Sequence, residues 1–478
     1  MKSRYFQKTS EILWYLLIFL LPFTSLPLAS QLLHSNMVAA PSIIILALLL
    51  VFFFWSLLNK TAKIQPISYP LLLFGCFALV SSLLSFWLPI PIQKEFSIFK
   101  NIVEGLGTLL IGISFYLISI QFFQSEGIYK NTIRIIMYSY LPLLVWCLFQ
   151  FYFGQILNTY PEWMFQIQKI ITTSGILYRD RLTGFAFEPS WLAHQMNMFY
   201  IPMWISATVT RNSGFKKWKF FIVEDLFLGS AIFILIFSKS RVGWITFAFM
   251  FSYLFYLLNR TVINKILNKS KINQKRLIVK FLPAFFILVY LLLLVLGLFL
   301  FSKFDSRMES MFKLETYQGK NIYSIANEFV FAERVLYWQT GWKIFNDFPI
   351  FGVGLENVGF FFRDYLPSFA WALDEPRHLI YQANYQGNIK NLWFRLLAET
   401  GIAGFIVFVT WLLLIFIKAN QNQKASNNTR RYLGIIGKLA LIALLIEGFS
   451  IDSFALPYYW VILGLVSINP IGPKNVNN

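Results

Sequence analysis

SIIILALLLVFFFWSLL, residues 42–58, decides the fold. The run carries no charge, and its apolar side chains do not alternate with polar ones. It therefore has neither the period-two pattern of a barrel strand nor the polar stripe of a surface helix. In lipid every backbone N–H and C=O must be satisfied within the segment, which makes a continuous helix the reading. FLPAFFILVYLLLLVLGLFLF, residues 281–301, repeats the pattern. Since a bilayer core takes about 20 apolar residues as a helix, twelve such stretches are expected, near 11–29, 38–58, 68–88, 105–124, 135–153, 189–210, 220–238, 242–258, 281–301, 392–417, 433–451 and 454–468.

Composition agrees with those runs. Of the 478 residues 57% are hydrophobic and 13% charged, and mean hydropathy is +0.60, too few charges to coat a water-soluble surface of this size. A soluble enzyme, a disordered chain and a disulfide scaffold are excluded. A net charge of +19 invites a nucleic-acid reading, but the basic clusters are separated by membrane-length apolar runs and cannot share one wettable face. No nucleic-acid partner is expected, and membrane lipid is.

Lys and Arg mark the cytoplasmic side of a multi-pass protein. Starting inside, every second loop is basic: Lys2, Arg4 and Lys8; Lys60 and Lys63; Lys130 and Arg134; Arg211, Lys216, Lys217 and Lys219; a seven-residue basic set from Arg260 to Lys280; Lys418, Lys424, Arg430 and Arg431; and Lys474. Both termini are then cytoplasmic, and Glu126 is the one acid in these loops unless Glu224 and Asp225 belong to that interface. The first run, ending in Leu28, Ala29 and Ser30, resembles a signal peptide, but it is long for one and its removal would leave an odd span count. Cys76 and Cys147, inside spans, read as buried reduced thiols, and three His argue against a multi-ligand metal site. The expected architecture is an all-α polytopic membrane protein of about 12 helices: 1–301 with helices 1–9, a large partly helical external loop or cap at 302–391, and 392–478 with helices 10–12 and a cytoplasmic tail.

The remaining polar chemistry falls on the outer face. The 302–391 loop is too long to be structureless, and EFVFAERVLYWQTGWKIF within it has helical apolar spacing, broken after Phe345 by Pro349, Gly352 and Gly354. Outward cations run against the charge bias, so Arg181, Arg241 and Arg334 are candidates to converge on a phosphate or pyrophosphate, which suits Arg's planar fork. Headgroup anchoring and pairing with Glu333 are the structural alternatives. A general base is then required. His378, beside Arg377 and near Asp374 and Glu375, is one candidate; Glu188, at the mouth of the sixth span before Pro189, is the other, or a helix-start carboxylate. Arg179, Arg377, Asn391 and Glu399 are supporting candidates, with Glu399 pairing with Arg395 four residues earlier as a structural pair. Loop aromatics such as Trp338, Trp342 and Phe360–Phe362 are assigned to packing first and sugar stacking second.

Four segments resemble the bacterial O-antigen polymerase and ligase family, polytopic glycosyltransferases acting on lipid-linked saccharides. They are RLTGFAFEPSWLA at 181–193, SKSRVG at 238–243, the set Arg334, Trp338, Pro349, Gly352 and Gly354, and NLWFRLLAETGIAG at 391–404. Ligase members often carry His immediately before the Asn that opens the fourth segment; Lys390 stands there, which together with Glu188-Pro189-Ser190 favours a polymerase. The resemblance implies donor and acceptor repeats linked to undecaprenyl pyrophosphate, a site on the outer face of the inner membrane, and a chain-length regulator protein as a further partner. No cofactor is expected; without an Asp-x-Asp or His-rich set, metal-independent chemistry is. A ligase acting on lipid A core and a flippase of the same lipids are the alternatives.

Overall fold

The computed structural model describes residues 2–33, 39–93, 96–124, 126–215, 221–269, separate positions between 285 and 299, 332–383 and 385–468. Most of the expected ninth span, the loop portion 302–331, and the basic positions 216, 217, 219, 271–280 and 474 lie outside the described residues. Among the described residues the chain is all-helical, with one isolated bridge between Ser25 and Ala39 and no strand.

Helices α1 (Lys2–Phe19), α2 (Pro27–Leu33), α3 (Ser42–Leu58), α4 (Tyr69–Leu84), α5 (Ile98–Phe123) and α6 (Glu126–Gln150) are followed by α7 (Glu162–Ile171). Next come α8 (Pro189–Gln195), α9 (Ile201–Thr210), α10 (Val223–Phe237) and α11 (Arg241–Lys269). The cap contributes α12 (Ala332–Asp347), α13 (Phe362–Tyr365) and α14 (Asp374–Tyr381), and the chain closes with α15 (Leu392–Gln423), α16 (Asn428–Glu447) and α17 (Pro457–Val466).

Four described helical stretches, 66–87, 98–123, 127–156 and 392–423, are long and apolar enough to cross a membrane, and no more than half of each is buried within the protein. Their outward faces carry large apolar side chains such as Leu110, Val145 and Leu413. An apolar exterior of this extent belongs in lipid, so the chain is a membrane protein. Polar side chains turn inward instead: Ser81, Gln150, His194, Asn197, Arg395 and Glu447 are all buried. Cys76 departs from the expectation of two buried thiols. It lies on the outward face of α4, while Cys147 is buried; both are free.

Two expected spans are interrupted for a physical reason. The 11–29 run stops as a helix at Phe19, ahead of Pro22, which lacks the amide a helix needs and disfavours helical geometry in the residue before it. The 189–210 run is divided by a π-turn at Met196–Tyr200, immediately before Pro202. That wider turn accommodates the missing proline donor.

Among the described residues two apolar cores form. The larger runs through the helix bundle from Trp14 to Ile468. The smaller joins Leu336, Tyr337 and Ile344 of α12 to Val353, Phe360, Phe361, Phe362, Ile389 and Ala398. Phe360–Phe362 and Tyr337 are thereby used in packing. The cap's core sits directly on the start of α15, and that junction positions the polar cluster.

Candidate functional site

The junction begins at Asn391. Its buried side chain accepts the amides of Trp393 (2.9 Å) and Phe394 (3.1 Å), capping α15. Ten residues later Gly401 takes φ 62°, ψ −171°, and breaks the helix. The loop following α12 fills the break. Val353 N–H donates to Ala398 O and Gly354 N–H to Glu399 O, both at 2.9 Å, while Ile402 N–H donates to Pro349 O at 2.8 Å. Buried backbone groups that the break would orphan are thus satisfied. The fit needs glycine: Gly352 has φ +70°, and a Cβ there would stand 2.5 Å from Ala398 O; one at Gly401 would stand 2.2 Å from Ile350 O. The third and fourth family-like segments are two halves of one interlock.

Inside it, Arg395 is buried and fully engaged. It donates to Glu399 (3.0 Å), Glu356 (2.7 Å) and the Asp452 carbonyl (2.9 Å), and its guanidinium lies 5.4 Å from the Phe454 ring centroid. Glu399 also accepts the Glu356 amide at 3.1 Å. Buried charges persist only when paired and hydrogen-bonded in this way. Asp452 in turn accepts the Lys390 amide at 3.1 Å. The network clamps the cap to α15 and to the 448–456 turn.

The expected arginines gather around the adjoining starts of α8 and α11. Arg181 donates to the Ser238 carbonyl at 3.0 Å, and Lys239 pairs with Asp180 at 3.6 Å. The Ser240 hydroxyl accepts the Gly243 amide at 3.3 Å, so Arg241 is the first residue of α11. Gly243 packs on Ala193 of α8, and Asn197 ties the Gly243 carbonyl (2.9 Å) to Glu447 (2.8 Å) at the end of α16. Arg334, in the first turn of α12, reaches the Ser450 carbonyl just beyond that end, at 3.3 Å. Burial lowers its pKa, opposed by the carboxylates of Glu188, Glu375, Asp452 and Glu447.

Glu188 is the N-cap residue of α8 and accepts the Ser190 hydroxyl. His378 is exposed on α14, with Nδ1 bonded to Gln382 Oε1 at 2.9 Å; Arg377 pairs with Asp374 on the solvent side. Arg179 is exposed, its carbonyl accepting from Gln155 at 3.4 Å. Arg181, Glu188, Arg241 and Arg334 thus belong to neighbouring elements, while His378, Arg377 and Arg179 point to solvent.

A second group went unread in the sequence. Glu375 accepts the Tyr337 hydroxyl (3.0 Å) and the Lys390 ammonium, and Glu333 stands one turn before Tyr337 on the same side of α12, within electrostatic reach of Glu375. Burial pushes Glu333 up to about 7, helped by Glu375 and opposed by Lys390 and Arg334. For Glu375 burial acts upward too, but Lys390 and its hydrogen bonds outweigh it and hold it below the usual range. No sequence spacing links residues 333, 375 and 390. Lys239, Glu356 and Lys390, all in ion pairs here, also carry positive φ of 49°, 59° and 51°. Lys60, Asn158 and Arg211, away from this junction, carry positive φ as well.

An all-helical membrane protein with cations and carboxylates collected where its cap meets the helix ends defines the class. Residues 226–409 match the family model Wzy_C, described as O-antigen ligase. Over that stretch, less than half of the chain, the protein is similar to the O-antigen ligase family. Three of the four family-like segments fall inside the matched residues and the 181–193 segment precedes them. No curated protein matches the chain.

Proposed function

We propose that the protein polymerises undecaprenyl-pyrophosphate-linked oligosaccharide repeats of O-antigen, or of another surface polysaccharide, at the outer face of the inner membrane. The observation that carries this reading is the gathering of Arg181, Arg241 and Arg334 around the paired starts of α8 and α11, within and beside the O-antigen ligase match. In the proposed transfer, these guanidinium groups and two helix N-termini stabilise the charge on the departing lipid pyrophosphate without a metal. Twelve spans, both termini in the cytoplasm and an external 302–391 cap complete the proposed topology, and a chain-length regulator is a proposed partner. Among the described residues the basic pairs Arg211 with Asp225 and Arg134 with the Gly214 carbonyl sit at the bundle end away from Arg334, which supports a cytoplasmic basic skirt.

A ligase transferring finished glycan to lipid A core is the second reading, favoured by the description of the matched family. Lys390, whose ammonium is engaged with Glu375, weighs against a ligase dependent on His at that place. The match gives no support to a flippase. Arg241→Ala or Arg334→Ala should abolish polymerisation while the protein remains in the membrane. Full-length polysaccharide in both variants would overturn the pyrophosphate assignment.

A further inference from the structure

We propose that the Glu333–Glu375 pair, wired to Tyr337 and Lys390 and lying beside Arg334, is the acceptor-activating group of the transfer, with Glu333 taking the hydroxyl proton. The inference rests on the transferase reading above.

The geometry divides the labour. Glu375 is engaged by Lys390 and the Tyr337 hydroxyl, and Lys390 also lies 4.9 Å from the Tyr337 ring centroid. Glu333, half-buried in the first turn of α12, is next in sequence to Arg334, so a group that moves a proton and one that faces leaving-group charge project from the same turn. Among the described residues, the charged and titratable groups facing Glu333 are Glu375 and Lys390 from the cap and Arg334 and Tyr337 from its own helix; Glu188, Asp452 and Glu447 act on Arg334 behind it. Glu333 lies one helical turn before Tyr337, whose hydroxyl bonds Glu375, and two neighbouring carboxyls cannot both ionise freely, which places one of them near neutrality, where a general base is most effective. His378, at solvent on Gln382, and Glu188, holding Ser190, lack that arrangement.

The step balances. The acceptor's hydroxyl oxygen forms a bond to the donor's anomeric carbon as the bond from that carbon to the pyrophosphate oxygen breaks. The hydroxyl proton passes to the Glu333 carboxylate, the leaving electron pair stays on the lipid pyrophosphate opposite Arg334, and Glu333 later returns its proton to water.

The test uses the full-length protein in proteoliposomes with synthetic undecaprenyl-pyrophosphate-linked repeat, measuring the initial rate of chain extension from pH 5.5 to 8.5. The wild-type rate should rise with pH through about 7. Glu333→Gln should lower it by about a hundredfold or more and flatten that rise; Glu333→Asp should restore part of both. Glu375→Gln removes the neighbouring negative charge, so the rise should move to lower pH. This holds as the deciding variant if Glu333→Gln fails to reach the membrane. A wild-type pH profile in Glu333→Gln, a rise left in place by Glu375→Gln, or a rise abolished instead by Glu188→Gln or His378→Ala would overturn the assignment. No sugar–sugar bond from the wild type would instead overturn the transferase reading beneath it.

Discussion

At the scale of single residues the account turns on which charges are buried and with whom. Arg395 and Glu399 were legible in the sequence because they stand four residues apart on one helix. Glu356 and the Asp452 carbonyl, which complete the shell, were not, since 39 and 57 residues separate them from Arg395. Removing the guanidinium strands Glu356 and Glu399 in the junction, so Arg395→Ala should cost about 3–5 kcal/mol. A lowered melting temperature in detergent and reduced membrane abundance would report it; an unchanged melting temperature would contradict the clamp. Glu375 and His378 lie on different faces of α14. Glu375 shares a face with Leu379, packed on the cap core, whereas His378 shares one with exposed Gln382. The linked stability effect has a definite sign. An acid raised from 4.5 to about 7 in the folded state disfavours folding as it ionises, so cap stability should fall as pH rises from about 4.5 through about 7. Glu333→Gln should remove that fall, measured as the melting temperature at pH 6 against pH 8.

At the scale of elements, uninterrupted apolar runs declared themselves, and their breaks did so only in part. Pro22 and Pro202 carry a visible signal, a missing amide, yet hydropathy alone ran straight across both. Gly401 carries none: within Glu399-Thr400-Gly401 nothing but tertiary contact tells a kink from an ordinary helical glycine. The loop from Pro349 to Gly354 supplies that contact, and only the folded chain brings it there. Gly401→Ala and Gly352→Ala should each destabilise the junction by about 2 kcal/mol or more, because each adds a Cβ against a backbone carbonyl at positive φ. Limited proteolysis of the cap should accelerate in both. A substitution at Gly107, where a Cβ meets nothing within 4 Å, should not have this effect.

At the scale of the molecule, a net charge of +19 invites a polyanion ligand, whereas the proposed topology assigns most of it to the cytoplasmic loops. Cations outside the basic clusters gather with carboxylates where the cap meets α15 and the turn after α16, and around the starts of α8 and α11. Single cations against the charge bias could be picked out of the sequence one at a time. Their neighbourhood could not, because Ser238, Ser450 and the pair Ala193 and Asn197 come from three separate segments. The central claim, that this assembly joins lipid-linked repeats to one another, is tested most directly by incubating purified protein in proteoliposomes with undecaprenyl-pyrophosphate-linked repeat alone. A ladder of products lengthening by one repeat is the predicted result. Transfer only when lipid A core is added, or movement of the lipid across the bilayer with no new glycosidic bond, would contradict it.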